Sequence, residues 1–510
     1  MNDKIKIVCL GGGSLYFRRV LGDLALEGEL NGSEVVLYDI DVEKAERMAA
    51  LGARLAAESG VELKVRASRE LEEAIDGADF AVSSIGGSGA EVTRNVYDSS
   101  YHSADMHIPA KYGIHQVIGD TAGPAGMMMG LRSIPAYVDI CQRMEERCPD
   151  VILLNHSNPM APIMRALHKY SSITSIGICH GVQGGVSAAA QLLSVPAAEL
   201  ECRWIGTNHY YWFTAVVHRG VDKLPELMCL TREREAPAAH RMAADLSSVY
   251  GYRIVYPDDG HLIEFYPFAA QVADQEGLPY NLADSARRHG YDALQPLSSS
   301  TPSAQVRESF MTEYQQILDE SQLPENRGDA VTGEGLAQMI CAMAAGRRMV
   351  CIVNVANGSA IPNLPATAEV EVEAVTDSRG VRALTMGESP MVLKGILEKR
   401  FVWQELVADA AVKGDRDLAL QALMVDELAI EPRKAKSMLD ELLGASRELL
   451  PGFFSALSGG SDRSVIHAPE RCCSNLLYIA GEPPCAQVNA VALSLTSSIL
   501  ALPPSADHLA

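Results

Sequence analysis

Ile5-Lys6-Ile7-Val8-Cys9-Leu10 runs straight into Gly11-Gly12-Gly13-Ser14, and Arg18 to Leu26 follows with helical spacing. A β-branched run, a glycine turn and a helix in that order open a βαβ unit. Working outward, Glu34 to Tyr38 is a second strand closed by Asp39-Ile40-Asp41, Val42 to Glu58 is helical, Leu63 to Val65 extended, Leu71 to Ile75 helical and Phe80 to Ser84 a strand. The alternation continues with a helix at Ile134 to Arg147, a strand at Val151 to Asn155, a helix at Pro159 to Tyr170 and a strand at Ser175 to Ile178. Right-handed crossovers of this kind build a doubly wound parallel sheet with helices on both faces. The expected fold class is therefore α/β, with an N-terminal Rossmann-like parallel sheet over residues 1–180.

Beyond residue 180 the alternation weakens. Gly206 to Val217 is aromatic and extended, Pro237 to Tyr250 helical, and Pro279 to Asp329 polar and mostly helical. Met349 to Val355, Ala368 to Ala374 and Val381 to Thr385 read as strands, and Val392 to Leu443 as a closing helical set. Residues 181–452 are expected to form a C-terminal mixed α+β domain, and residues 453–510, with clustered Gly, Pro and Ser, an appended tail.

The 510 residues carry 43 Lys+Arg against 65 Asp+Glu, a net charge of −22, which excludes a basic nucleic-acid binder. No apolar run approaches the roughly 20 residues that span a bilayer, and the N-terminal segment lacks the pattern of a signal peptide. A cytoplasmic protein without a membrane partner is the expectation. The 11 cysteines, with no CxxC spacing, fit a reducing compartment.

A glycine turn after a first strand lets the backbone approach a pyrophosphate, and the helix that follows presents unpaired N–H groups and a positive dipole end. Gly11, Gly13 and Ser14 are placed for this, although Tyr16 stands where GxGxxG has its third glycine. Asp39 ends the second strand, where a carboxylate accepts both adenosine ribose hydroxyls and repels a 2′-phosphate, favouring NAD over NADP. Four further segments place polar or metal-binding residues where strands are expected to end: Gly119 to Pro124, Asn155 to Pro159, Cys179 to Val182, and Asn208-His209. Cys179 and His209 could ligate a metal as thiolate and imidazole, and Asn158 could hold a sugar hydroxyl. On spacing alone, a small buried hydrophobe and a core histidine account for the same two residues.

The ordered motifs GGGS, LYDID, GDTAGPAG, LLNHSNPMA, ICHGVQGG, GTNHYYWF, Asn363-Leu364-Pro365 and AEVEVEAV resemble the family 4 glycoside hydrolases, which depend on NAD and manganese, over about residues 4–452. The resemblance implies that Cys179 and His209 hold Mn2+ or another divalent metal. It implies that Asn158, with Asp120, contacts the sugar, and that Gly11, Gly13, Ser14 and Asp39 hold NAD. It also implies hydrolysis by C3 oxidation, C1–C2 elimination, water addition and re-reduction. Tyr256, Asp259 and His261 are the candidate bases for the C2 proton, and His180 the acid for the leaving group. The His-Gly pair after Cys179 and the stretch Gly260 to Phe265 are most similar to relatives acting on uronides, so an α-D-glucuronide or galacturonide is the first expectation and a neutral α-galactoside or α-glucoside the second. A uronide needs a cation, for which Arg94, Lys111 and Arg253 are candidates. Relatives form homodimers and homotetramers, and the same is expected here. An NAD-dependent dehydrogenase without hydrolysis is the alternative of another class.

Overall fold

A computed structural model describes residues 4–87, 99–235, 241–255, 259–295, 304–323 and 335–457. Every described residue belongs to one compact unit, Met1–Ser461. The expected tail at 453–510 thus lies almost wholly outside the described residues.

Thirteen strands are described: β1 Lys6–Leu10, β2 Glu34–Tyr38, β3 Lys64–Ser68, β4 Phe80–Ser83, β5 Ile152–Asn155, β6 Thr174–Gly177, β7 Leu200–Thr207, β8 Tyr210–His218, β9 Val221–Asp222, β10 Arg253–Ile254, β11 Val350–Ala356, β12 Glu369–Asp377 and β13 Gly380–Ala383. Nine form one sheet in the order β13-β12-β11-β6-β5-β4-β1-β2-β3. The six strands from β3 to β6 are all parallel and follow the doubly wound order 3-2-1-4-5-6. Strands β11, β12 and β13 extend the same sheet antiparallel beyond β6, joined at the pair Asn354 and Gly177. The sheet therefore continues past the division expected at residue 180. A second, antiparallel sheet runs β10-β8-β7, with β9 on β8.

The pleat explains the apolar runs. Ile7 and Cys9 of β1 face one core while Val8 and Leu10 face the other; Phe80 and Val82 oppose Ala81, and Ile152 and Leu154 oppose Leu153. A parallel sheet buried on both faces needs apolar side chains at every position, not at alternate ones. The first core is closed by helices Tyr16–Leu26, Val42–Ser59, Ala304–Asp319 and Leu336–Ala344, the second by Gly123–Arg147, Met160–Tyr170 and Met391–Lys413.

Two boundaries differ from the sequence reading in ways that matter for the site. The helix expected from Ile134 begins at Gly123, with Pro124 in its first turn. Its segment Gly123 to Ile134 is buried throughout, so it carries no amphipathic period to reveal it. The extended stretch Gly206 to Val217 is a hairpin: Thr207 pairs with Tyr210, leaving Asn208-His209 as a two-residue turn. Among the described residues, no helix is long and apolar enough to cross a membrane.

Candidate active site

The turn after β1 lies between β1 and β4, where the strand order reverses and a crevice opens. Gly11 has φ +74°, and a Cβ there would lie 2.3 Å from the carbonyl oxygen of Ser84, so only glycine fits. The hydroxyls of Ser14 and Ser84 are 3.1 Å apart. Asp39 accepts the Gly13 N–H at 2.9 Å and the Asp41 N–H at 2.8 Å, one on each oxygen. Burial raises the pKa of this carboxyl, while the two amides act to lower it. Each oxygen keeps a further lone pair for a ribose hydroxyl. Asp41, not Asp39, caps the following helix, accepting from the Lys44 N–H. Tyr16, in place of the third glycine, opens helix Tyr16–Leu26 and brings its hydroxyl 2.7 Å from a ring nitrogen of His156. Tyr314, far along the chain, donates its hydroxyl to the Gly13 carbonyl at 2.8 Å. A glycine turn, a helix N-terminus and a carboxylate so disposed fit a dinucleotide.

Cys179 and His209 come together from different sheets. Cys179 follows β6, whereas His209 stands in the β7–β8 turn at φ +59°, a left-handed backbone that costs a non-glycine residue roughly 1 kcal/mol or more. Sγ of Cys179 and Nε2 of His209 are 3.6 Å apart. At that separation one divalent ion could contact both atoms. The Gly181 N–H donates to this sulfur at 3.4 Å from the start of helix Gly181–Leu193, so a donor and a positive dipole end both face the thiol.

Asp120 and His261 converge on the same place. Asp120, His209 and His261 each offer a ligand atom, all within 4.8 Å of one another. The His261 ring meets that of His209 edge-on with centroids 4.8 Å apart, and its Nε2 is 3.9 Å from Oδ1 of Asp120. Asp120 also accepts from the Thr121 hydroxyl at 2.6 Å on Oδ1 and from Asn158 Nδ2 at 2.8 Å on Oδ2. The Thr121 hydroxyl lies 2.8 Å from Nδ1 of His209. The thiol of Cys179 and the imidazole of His209, with a second imidazole and a carboxylate beside them, fit a divalent cation. His180, exposed, occupies the N-cap position of helix Gly181–Leu193 next to Cys179 in the chain.

Asp259 and Lys111 have partners of their own. Asp259 is buried and accepts the N–H groups of Met242 and Ala243, both at 2.9 Å, as a cap on helix Arg241–Tyr250. Tyr256 and Arg94 lie outside the described residues. Lys111 is exposed and paired with Glu441 at 2.7 Å, and Arg253 lies near Cys202 on β7, on the strand stretch away from the His209 turn. Of the four segments expected at strand ends, those at Asn155 and Cys179 do follow parallel strands. Gly119 to Pro124 instead leads into helix Gly123–Arg147, and Asn208-His209 belongs to the second sheet.

Several residues were silent in the sequence. Glu264 is fully buried and takes the N–H groups of Val117, Ile118 and Gly119 on one oxygen at 3.1, 2.8 and 2.6 Å, fixing the chain that enters Asp120. Burial, with the charge of Asp120, pushes its carboxyl up to about 7. Glu371, also fully buried, accepts from Asn208 Nδ2 at 3.3 Å, and burial pushes it up to about 7 as well. Asp426 takes the Gly123 N–H at 3.2 Å and is held by Arg400 at 2.8 Å. Glu264 contacts amides 145 to 147 positions away and Glu371 an amide 163 away, separations that no local pattern encodes.

Two family models match the chain: Family 4 glycosyl hydrolase over residues 6–195, and Family 4 glycosyl hydrolase C-terminal domain over residues 204–429. An alpha-galacturonidase of Bacillus subtilis (strain 168) is 29% identical over 469 residues, covering 86% of this chain and 97% of the relative. An alpha-galactosidase of the same strain is 28% identical over 453 residues, covering 88% and 99%. Among solved structures, a 6-phospho-alpha-glucosidase from gut microorganisms in complex with NAD and Mn2+ superposes with a TM-score of 0.70 at 23% identity, covering 88% of this chain and 99% of that one.

Proposed function

The chain belongs to the family 4 glycosyl hydrolases, and from that membership we propose an NAD- and manganese-dependent glycosidase acting on α-glycosides, with an α-D-glucuronide or galacturonide as first substrate. The observation that carries this reading is the meeting of Cys179 and His209 at 3.6 Å beside the Asn158–Asp120 hydrogen bond. Cys179 and Asn158 lie past the carboxyl ends of β6 and β5 in the sheet that holds the glycine turn, and His209 reaches them from the second sheet. The gut 6-phospho-alpha-glucosidase, solved with both cofactors, and the alpha-galacturonidase relative support it.

When bound, NAD would supply oxidation and re-reduction at C3 of the sugar, and the divalent ion would supply positive charge. Gly11, Gly13, Ser14 and Asp39 hold the dinucleotide. Cys179 and His209 hold the ion, with Asp120 and His261 close by. Asn158, its amide oriented by Asp120, faces a sugar hydroxyl. The base for the C2 proton comes from the segment 256–261, where His261 is the member that stands in the cluster. His180 protonates the departing glycosidic oxygen from the exposed side.

A neutral α-galactoside is the second reading. It is supported by the alpha-galactosidase relative. Chromogenic α-glucuronides, α-galacturonides, α-galactosides, α-glucosides and 6-phosphoglycosides, each assayed with NAD and Mn2+, decide between them. Release of aglycone from none of these, or stoichiometric NADH from any, would overturn the glycosidase reading.

A further inference from the structure

Asp120, Thr121 and His209 form a chain whose proton directions follow from chemistry alone. An ionised Asp120 can only accept, so the Thr121 hydroxyl spends its one hydrogen on Oδ1 at 2.6 Å. The same oxygen of Thr121, 2.8 Å from Nδ1 of His209, is then left to accept. His209 must carry its hydrogen on Nδ1, which leaves the lone pair on Nε2, the nitrogen facing Sγ of Cys179 at 3.6 Å. Oδ2 of the same carboxylate meanwhile takes Asn158 Nδ2 at 2.8 Å. One buried carboxylate thereby governs both the imidazole and the amide.

We propose that Thr121 is a positioning residue which, by relaying Asp120 to Nδ1 of His209, fixes the imidazole tautomer that offers Nε2 to the metal. The inference rests on the metal reading given above. It assigns Asp120 an orienting role that reaches the ion through a hydroxyl rather than by direct ligation. Groups that hold the second nitrogen of a ligating histidine typically change metal affinity by about 10- to 100-fold.

The test is Mn2+ binding to the full chain without sugar, read by the electron paramagnetic resonance of the free ion. Co2+ binding, read by thiolate-to-metal absorption, accompanies it, and NAD binding serves as the check of folding. T121V removes the hydroxyl at nearly constant shape and is expected to weaken Mn2+ by about 10- to 100-fold, whereas T121S restores affinity to within about 3-fold. D120A, which leaves the Thr121 hydroxyl without its acceptor, should weaken binding in the parent chain but add little in the T121V background, because both changes cut one relay. Parent-like Mn2+ affinity in T121V would overturn the relay. So would a D120A loss undiminished in T121V, which would make Asp120 a direct ligand. Should T121V fail to bind NAD, the comparison of T121S with D120A decides: T121S as weak as D120A overturns the proposal. Failure of the parent chain to bind Mn2+ at all would instead remove the metal reading itself.

Discussion

The carboxylate of Glu264 holds the backbone N–H of Gly119 at 2.6 Å, and through that bond the second half of the chain sets the position of Asp120. Two more amides, of Val117 and Ile118, share the same oxygen. The loop carrying the site's central carboxylate is thus shaped by a buried acid rather than by its own sequence.

Removing that acid leaves three buried N–H groups without their acceptor. E264A should cost about 2–4 kcal/mol in stability, while E264Q, which keeps a carbonyl oxygen in place, should cost less than half as much. Urea unfolding midpoints measure both. Equal stability of E264A and the parent chain would show that the loop finds other acceptors.

Stability should fall as pH rises through the acidic-to-neutral range. A carboxyl that binds its proton more tightly folded than unfolded supports the fold while protonated. For Glu371 that support is present below the ordinary value of 4.5 and is lost as pH rises to about 7. The loss is on the order of 3 kcal/mol for such a displacement. E371Q, neutral at every pH, should flatten the decline, as followed by thermal unfolding between about pH 4.5 and 8. Parallel curves for E371Q and the parent would sink this assignment.

C179S and H209A should each lower turnover by roughly a thousandfold or more, equivalent to several kcal/mol of lost transition-state stabilisation, with melting temperatures within a few degrees of the parent. Chelation should abolish activity and added Mn2+ should restore it. Loss of cooperative unfolding in either variant would mean instead that the pair is a packing element.

In deuterated water the released sugar should carry deuterium at C2, because that carbon's proton is removed during turnover, and NADH absorbance should not accumulate. Hydrolysis through paired carboxylates leaves the C2–H bond intact. Product with an unexchanged C2, together with no isotope effect from deuterium at C2 or C3, would exclude redox-assisted elimination.

What could be read from the sequence and what could not divide along physical lines. Strands β1 and β2 and the turn between β1 and its helix were legible because β-branched runs and Gly11 are locally required there. Cys179 and His209 were legible on spacing only as residue types, and their pairing followed from the family resemblance, since spacing cannot show a parallel strand end meeting a hairpin turn of the other sheet. Helix Gly123–Arg147 lost its first three turns to the reading because a fully buried segment has no polar face. The role of Asp259 was not legible for a related reason: a carboxylate ahead of His261 looks the same in sequence whether it faces substrate or accepts the amides of Met242 and Ala243, as it does here.

The bond from Tyr314 to the Gly13 carbonyl spans 301 positions. During synthesis the parallel strands of the first 180 residues emerge long before that hydroxyl does. The nucleotide turn therefore spends much of translation without its last tether, and closing it is a long-range event of the kind that slows folding. A nascent chain stalled before residue 314 would hold the glycine motif complete in sequence and incomplete in space. Emergence of residue 314, rather than completion of the motif, is then the earliest point at which the turn can close its bond to Tyr314.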